Sequence, residues 1–280
     1  MSNRSRRVRV ITDSTADLPL ELVARWGIEV VPLYIQFGEQ SYRDGIDLAN
    51  EDFYERLVAG ELATTSQGAI GSIKRIYEQA VAGGGEAISI HLSCGLSGTC
   101  SAAMLAADQV DGRVIVVDSG LLSMAIGWLV LAAAEAAREG RSLDEIVALV
   151  EEMKQRTHVV ALIENLEYLR HGGRIGPAQA VLGSLLDIRP IVGLEQGILA
   201  LYKKVRSRRL GLRNLAEMTA EAGPLERVAV VHANRPDDAL QVADELAPLF
   251  PRDKMLVQPA GQVVATHVGP GAVGVCYVTR

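Results

Sequence analysis

The stretch EAISIHLSCGLSGT runs from Glu86 to Thr99. Its first seven residues, Glu86 to Leu92, form a short apolar run rich in isoleucine, the pattern of a buried strand. Small residues and two glycines follow, and then an alanine-rich helical segment near 98–109. Arg113 to Asp118 (RVIVVD) is again strand-like. Strand, helix and strand at this spacing read as a parallel βαβ unit. The same alternation extends outward. Upstream lie a strand at Arg7 to Thr12, a helix at Leu18 to Trp26 and an extended stretch from Ile28 to Gln36. A helix capped by Asn50 carries Glu51 and Asp52 in its first turn and runs to about Ala59. Another spans Ile70 to Val81, with Ile70, Ile73, Ile76, Tyr77 and Ala80 on one face. Downstream, helices are predicted near 121–138 and 143–155. The reading is an α/β fold with a three-layer N-terminal domain, a parallel sheet between helices.

The texture changes after about residue 157. A strand at His158 to Ile163 precedes two short helical pieces with Gly172, Gly173 and Gly176 between them. Strands follow at Ile188 to Val192, Ile198 to Val205, Val228 to Ala233, Met255 to Gln258 and Ala272 to Thr279. Helices near 210–222 and 236–247 interrupt them. This predicts a second α/β domain with a mixed sheet and helices, and a division into 1–157 and 158–280. The 280 residues suit two domains of ordinary size.

Composition narrows the function. The chain is 49% hydrophobic but only 4% aromatic, so its interior is aliphatic and disorder is excluded. Three cysteines do not make a disulfide framework. A net charge of −6 argues against a broad nucleic-acid surface. The longest uncharged apolar run, Ser119 to Ala134, has 16 residues, short of the roughly 20 that span a bilayer, so no stable membrane insertion is expected. No signal-peptide pattern opens the chain, and a cytoplasmic location is expected.

In open α/β sheets ligands sit beyond the carboxyl ends of the strands. Those ends here are rich in hydroxyls: Asp13 and Ser14 after the first strand, Ser93 and Ser97 to Thr99 after the second, Ser119 after the third. Thr64, Thr65 and Ser66 add a cluster before a helix. Hydroxyls, Gly98 and free N–H groups at a helix start suit an anion; the plainer reading of each residue is a helix cap. No base lies within the loop to activate a serine, and GLSGT is not the nucleophile elbow, whose fifth position is glycine. The five histidines show no metal-binding pattern, and Cys94 and Cys100 have neither zinc nor redox spacing. No metal site and no cofactor is expected, and the cysteines read as small packing residues.

Two glycine motifs mark the second half. In Leu169 to Ile175 (LRHGGRI), a glycine pair reads as a helix stop that aims Arg174 inward, suited to carboxylate or phosphate. His267 to Gly271 (HVGPG) reads as a tight turn between two strands, with His267 facing a cleft. The basic run Lys203 to Arg209 reads either as a solvated strand edge or as a docking patch for an acidic partner.

Together these motifs resemble the DegV family of bacterial fatty-acid-binding proteins. The resemblance rests on ITDSTADL (Ile11–Leu18), Thr65-Ser66-Gln67, LSCGLSGT (Leu92–Thr99), LRHGGRI and HVGPG, in order along nearly the whole chain. It implies a long-chain fatty acid held between two domains, with the chain serving as acyl carrier for a fatty acid kinase subunit. It also implies that the carboxylate is held by Thr65, Ser97, Gly98 and Ser93, with Asp13, Ser14, Ser66 and Ser119 supporting the loops. Arg174 and His267 then serve acyl-phosphate formation or the kinase contact. The chain departs from the family pattern at Gly68, where proline is usual, at Cys94 and Cys100 to Ala102 in the hydroxyl loop, and at Arg189 in place of lysine. On this reading the chain carries no catalytic residue of its own. Two other readings stay open: a transferase or serine hydrolase acting at Ser97 or Ser93 with His267 as base, and a sensor of a small non-lipid anion.

Overall fold

The computed structural model describes residues 8–164, 166–176 and 188–280. The first strand, β1 (Val8–Asp13), turns through a single 3-10 turn at Ser14–Ala16 into α1 (Leu20–Trp26) and β2 (Glu29–Val31). Pro32 removes a ladder donor and ends β2. The extended stretch expected from Ile28 to Gln36 is therefore two strands in two sheets. Its second part is β3 (Tyr34–Phe37), which pairs antiparallel with β4 (Gln40–Arg43) and β5 (Thr64–Ser66). Between β4 and β5 lies α2 (Asn50–Val58). Asn50 does not cap it; the Asn50 Oδ1 accepts instead from Gln262 Nε2 at 2.9 Å.

α3 (Ile70–Val81), β6 (Glu86–His91), α4 (Thr99–Ala107), β7 (Arg113–Asp118), α5 (Met124–Arg138) and α6 (Leu143–Lys154) complete the first half. The order β2-β1-β6-β7 is parallel throughout, as expected, so the three carboxyl ends at Asp13, His91 and Asp118 share one edge. The second sheet has the order β10-β9-β8-β13-β11-β12, and among the described residues only β11 and β12 pair in parallel. Its strands are β8 (Thr157–Leu162), β9 (Arg189–Glu195), β10 (Ile198–Val205), β11 (Leu225–His232), β12 (Leu256–Pro259) and β13 (Val273–Thr279). The helices of this half are α7 (Glu167–His171), α8 (Arg208–Glu221), α9 (Pro236–Leu246) and α10 (Gln262–Val268). The second short helical piece expected after Gly176 falls in 177–187, outside the described residues.

The longest apolar run becomes α5, buried almost all round. A helix apolar on every face must be covered on every face. α5 packs on β1 and β6 on one side and on β8, β11 and β13 on the other, and Trp128 Nε1 donates to the Cys276 carbonyl at 3.1 Å. Its core is aliphatic: Ile88, Ile90, Leu129, Val130, Ile146 and Val278 all join one cluster. Among the described residues no helix is long and apolar enough to cross a membrane.

The basic run splits in two. β10 is an edge strand, where Lys203 and Lys204 are exposed, as edge lysines that block sheet growth should be. Arg208 is spent internally, pairing with Glu164 (2.8 Å) and Asp238 (2.6 Å) and donating to the Gly271 carbonyl.

Candidate functional site

The loop after β6 is built around buried polar groups that fix its shape. The Asp13 carboxylate accepts from Thr15 N–H (3.0 Å), Thr15 Oγ1 (2.5 Å), His91 Nδ1 (2.9 Å) and Leu92 N–H (3.1 Å). It ties the end of β1 to the end of β6. Ser14 Oγ accepts from Leu33 N–H, and Ser119 Oγ from Leu121 N–H. These three side chains are occupied in holding loop backbone.

Ser93 stands apart from the other expected headgroup residues. Its hydroxyl is buried and donates to the Gly197 carbonyl at 2.7 Å, pinning the loop to the β9–β10 turn. It does not line the pocket that Thr65 and Ser97 share. Ser66 lies in β5, off the pocket wall, while its neighbour Thr65 lines the pocket. Ser97 stands one residue before Gly98, the N-cap of α4. Its Oγ lies 3.0 Å from Thr99 Oγ1 and accepts from Thr99 N–H. Gly98 is packed on Gln67, whose Oε1 would lie 2.3 Å from any added Cβ.

The HVGPG motif is corrected: His267 is on α10, and only the residues after it turn into β13. His267 Nε2 lies 2.8 Å from Thr65 Oγ1. Its Nδ1 is buried and has no hydrogen-bond partner among the described residues. A Cβ added at Gly172 would stand 2.1 Å from that nitrogen, so the first glycine of LRHGGRI makes room for the imidazole. The second, Gly173, takes the left-handed φ of +69° that turns the chain toward Arg174. Arg174 then donates to the Leu96 carbonyl (2.9 Å) and the Gly172 carbonyl (2.7 Å), which fixes the guanidinium beside Ser97. Burial, helped by the nearby charges of Arg174 and His171, pushes the His267 imidazole down to about 4. His267 is therefore neutral at pH 7.

Thr65, Ser97, Arg174 and His267 line one pocket, floored by Leu96, Leu122, Leu169, Leu199 and Val264. Four of the five polar lining residues, Thr65, Ser97, Arg174 and His267, are ones the sequence singles out. Sequence reading missed Thr15 and the valines of α10, because that helix is short, β-branched and adjacent to a Gly-Pro-Gly turn. A wider cleft of about 640 Å³ opens nearby, lined by Asp13, Asp17 and Asp44. It offers an anion three acids and, among its described lining residues, no cation. The first pocket offers hydroxyls, an imidazole and a guanidinium, with no acid among its described lining residues. The first is the candidate anion site.

A family model described as the DegV family of uncharacterised proteins matches residues 7–280. The chain belongs to the DegV family. It is 37% identical over 276 residues to the protein DegV of Bacillus subtilis, covering 96% of this chain and 98% of that one. A DegV domain-containing protein of Streptomyces coelicolor is 37% identical over 280 residues, 99% and 100% of the two chains. Among solved structures, a DegV family protein of Thermus thermophilus, described by its fatty acid binding, superimposes with a TM-score of 0.91 at 33% identity over 98% of this chain and 100% of that chain. B. subtilis DegV, described as a fatty acid binding protein, gives 0.89 at 36% identity with the same coverage. The DegV fold thus accounts for all three sheets of this chain.

Asp17, in the wider cleft, joins the halves. Its carboxyl oxygens contact Gly261 N–H (3.0 Å) and Ser123 Oγ (2.5 Å). Burial, reinforced by Asp44, raises it to about 8, so it holds a proton at pH 7. An acid raised this way contributes its full stability below its unfolded value near 4 and loses it as pH rises through about 8. Thermal melts should therefore show wild type falling relative to Asp17→Asn between pH 5 and 9, by roughly 4–8 °C, the shift about 2 kcal/mol produces at this size. Parallel pH curves would contradict the assignment.

Proposed function

We propose that this chain binds a long-chain fatty acid in the pocket between Thr65 and Ser97 and presents it to a partner kinase for acyl-phosphate formation. The observation that carries the reading is the collar itself: two hydroxyls, a neutral imidazole and a fixed guanidinium around an apolar floor. Hydroxyl donors satisfy a carboxylate above an apolar floor, and the half-buried guanidinium beside them complements its charge. The fatty acid binding described for the similar DegV proteins supports the same ligand class. Burying about 15 methylene and methyl groups at about 0.8 kcal/mol each offers roughly 12 kcal/mol. That exceeds the several kcal/mol of association cost and, with the headgroup hydrogen bonds added, permits sub-micromolar affinity. The enclosed space in the pocket is narrow, about 70 Å³. Seating a long chain therefore requires the leucines and valines of the floor to part.

The hydrolase reading gains no support from the geometry. A serine or threonine nucleophile needs a base oriented by a third group. His267 Nε2 meets Thr65, yet Nδ1 has no partner to hold it among the described residues. In this reading phosphoryl chemistry belongs to the partner, and Arg174 at the collar pairs with the added charge of the acyl phosphate. Arg174→Ala should retain fatty acid but lower kinase-coupled acyl-phosphate formation at least about tenfold, the loss of roughly 1.4 kcal/mol. Equal phosphorylation of variant and wild type would overturn the role.

A further inference from the structure

Cys94 and Cys100, which read in the sequence as separate packing residues, come together in the structure. Cys94 sits in the loop after β6 and Cys100 in the first turn of α4. Asp118 closes the neighbouring strand β7. The two sulfurs and a carboxylate oxygen all lie within 4.8 Å of one another. A tetrahedral zinc with about 2.3 Å bonds to sulfur sets sulfurs about 3.8 Å apart, so small side-chain rotations suffice. The carboxylate is already aimed: Asp118 Oδ1 accepts from Cys94 N–H (3.2 Å) and Gly120 N–H (2.9 Å). Fixed second contacts of this kind are what orient metal ligands. Cys100 is buried, while Cys94 and Asp118 are half-buried, which leaves solvent a route to a fourth position.

We propose that Cys94, Cys100 and Asp118 form a site for one thiophilic divalent cation of the zinc class. Two thiolates and a carboxylate select such an ion over magnesium or calcium, which prefer oxygen alone. Thiols bind such a cation only as thiolates, so its uptake releases the thiol protons. The bound ion would clamp both ends of the loop 94–100, at whose centre stands Ser97. The cation thus braces the segment that carries a headgroup hydroxyl.

The test titrates the reduced full-length chain with Zn²⁺ against a chromophoric chelator, with a parallel Co²⁺ titration read by thiolate absorption. The expected result is one tight equivalent per chain, release of about two protons, and a thiolate–cobalt spectrum. Cys94→Ser should weaken Zn²⁺ at least about 100-fold, and Asp118→Asn about 10- to 100-fold. Cys94 is half-buried and serine is nearly isosteric, so the test does not depend on the folding of a Cys100 variant. Uptake only at large Zn²⁺ excess, or tight uptake retained by Cys94→Ser, overturns the proposal. So does a reduced chain that takes up no metal and instead pairs the two thiols as a disulfide under mild peroxide.

Discussion

Thr65→Ala combined with Ser97→Ala should weaken fatty acid binding at least about 100-fold. A hydrogen bond to a charged group contributes roughly 1.5–3 kcal/mol. Two such bonds lost together correspond to about 3–6 kcal/mol, with the lower end set by water entering the collar. The double change also removes the hydroxyl 2.8 Å from His267 Nε2, leaving neither imidazole nitrogen paired among the described residues. Displacement of a fluorescent fatty acid measures the effect, with thermal melting as the control for folding. The expected pattern is a large rise in Kd with Tm lowered by only several degrees, the cost of the unpaired imidazole, and no loss of the cooperative transition. An unchanged Kd would remove the carboxylate from this collar and leave the hydroxyls as loop caps.

Gly172→Ala should damage the same site from behind. The new Cβ would stand 2.1 Å from His267 Nδ1 and 2.6 Å from Cε1, distances no packed carbon tolerates. Either the ring swings away from Thr65 or α7 moves off α10, and overpacking of this kind costs about 1–3 kcal/mol. Two readouts follow. Tm should fall by several degrees, roughly 2–4 °C per kcal/mol. The His267 imidazole, displaced from its buried seat, should titrate nearer its ordinary 6.5 instead of about 4, which NMR of the ring protons reports. Adding His267→Ala should relieve most of the Tm loss, because the clash is with that ring. A Gly172→Ala protein with unchanged Tm and an unmoved imidazole would contradict this packing.

The fold was largely legible because its strands are short aliphatic runs with few rival readings. β1, β6 and β7 each end in polar residues, and the parallel order follows from the helices between them. Where the local sequence was not enough, a distant partner decided. Ser93 has the look of a ligand hydroxyl in the sequence, but the Gly197 carbonyl claims it, 104 residues away. Asn50 has the look of a cap, but Gln262 holds it. α10 is hidden by its β-branched residues and the following Gly-Pro-Gly, signals that locally favour strand and turn. Four of the five polar residues of the pocket were nameable, whereas the pairing of Thr65 with His267 spans 202 residues and no local pattern encodes it. The cluster of Cys94, Cys100 and Asp118 escaped for a related reason: its third member comes from a neighbouring strand.

The central claim is that this pocket holds a fatty acid. Organic extraction of the purified chain followed by mass spectrometry tests it most directly. The account predicts close to one fatty acid per chain from wild-type protein and a small fraction of that from the Thr65→Ala/Ser97→Ala protein. Wild-type protein that yields no fatty acid, and takes none up when incubated with long-chain fatty acids, would contradict it.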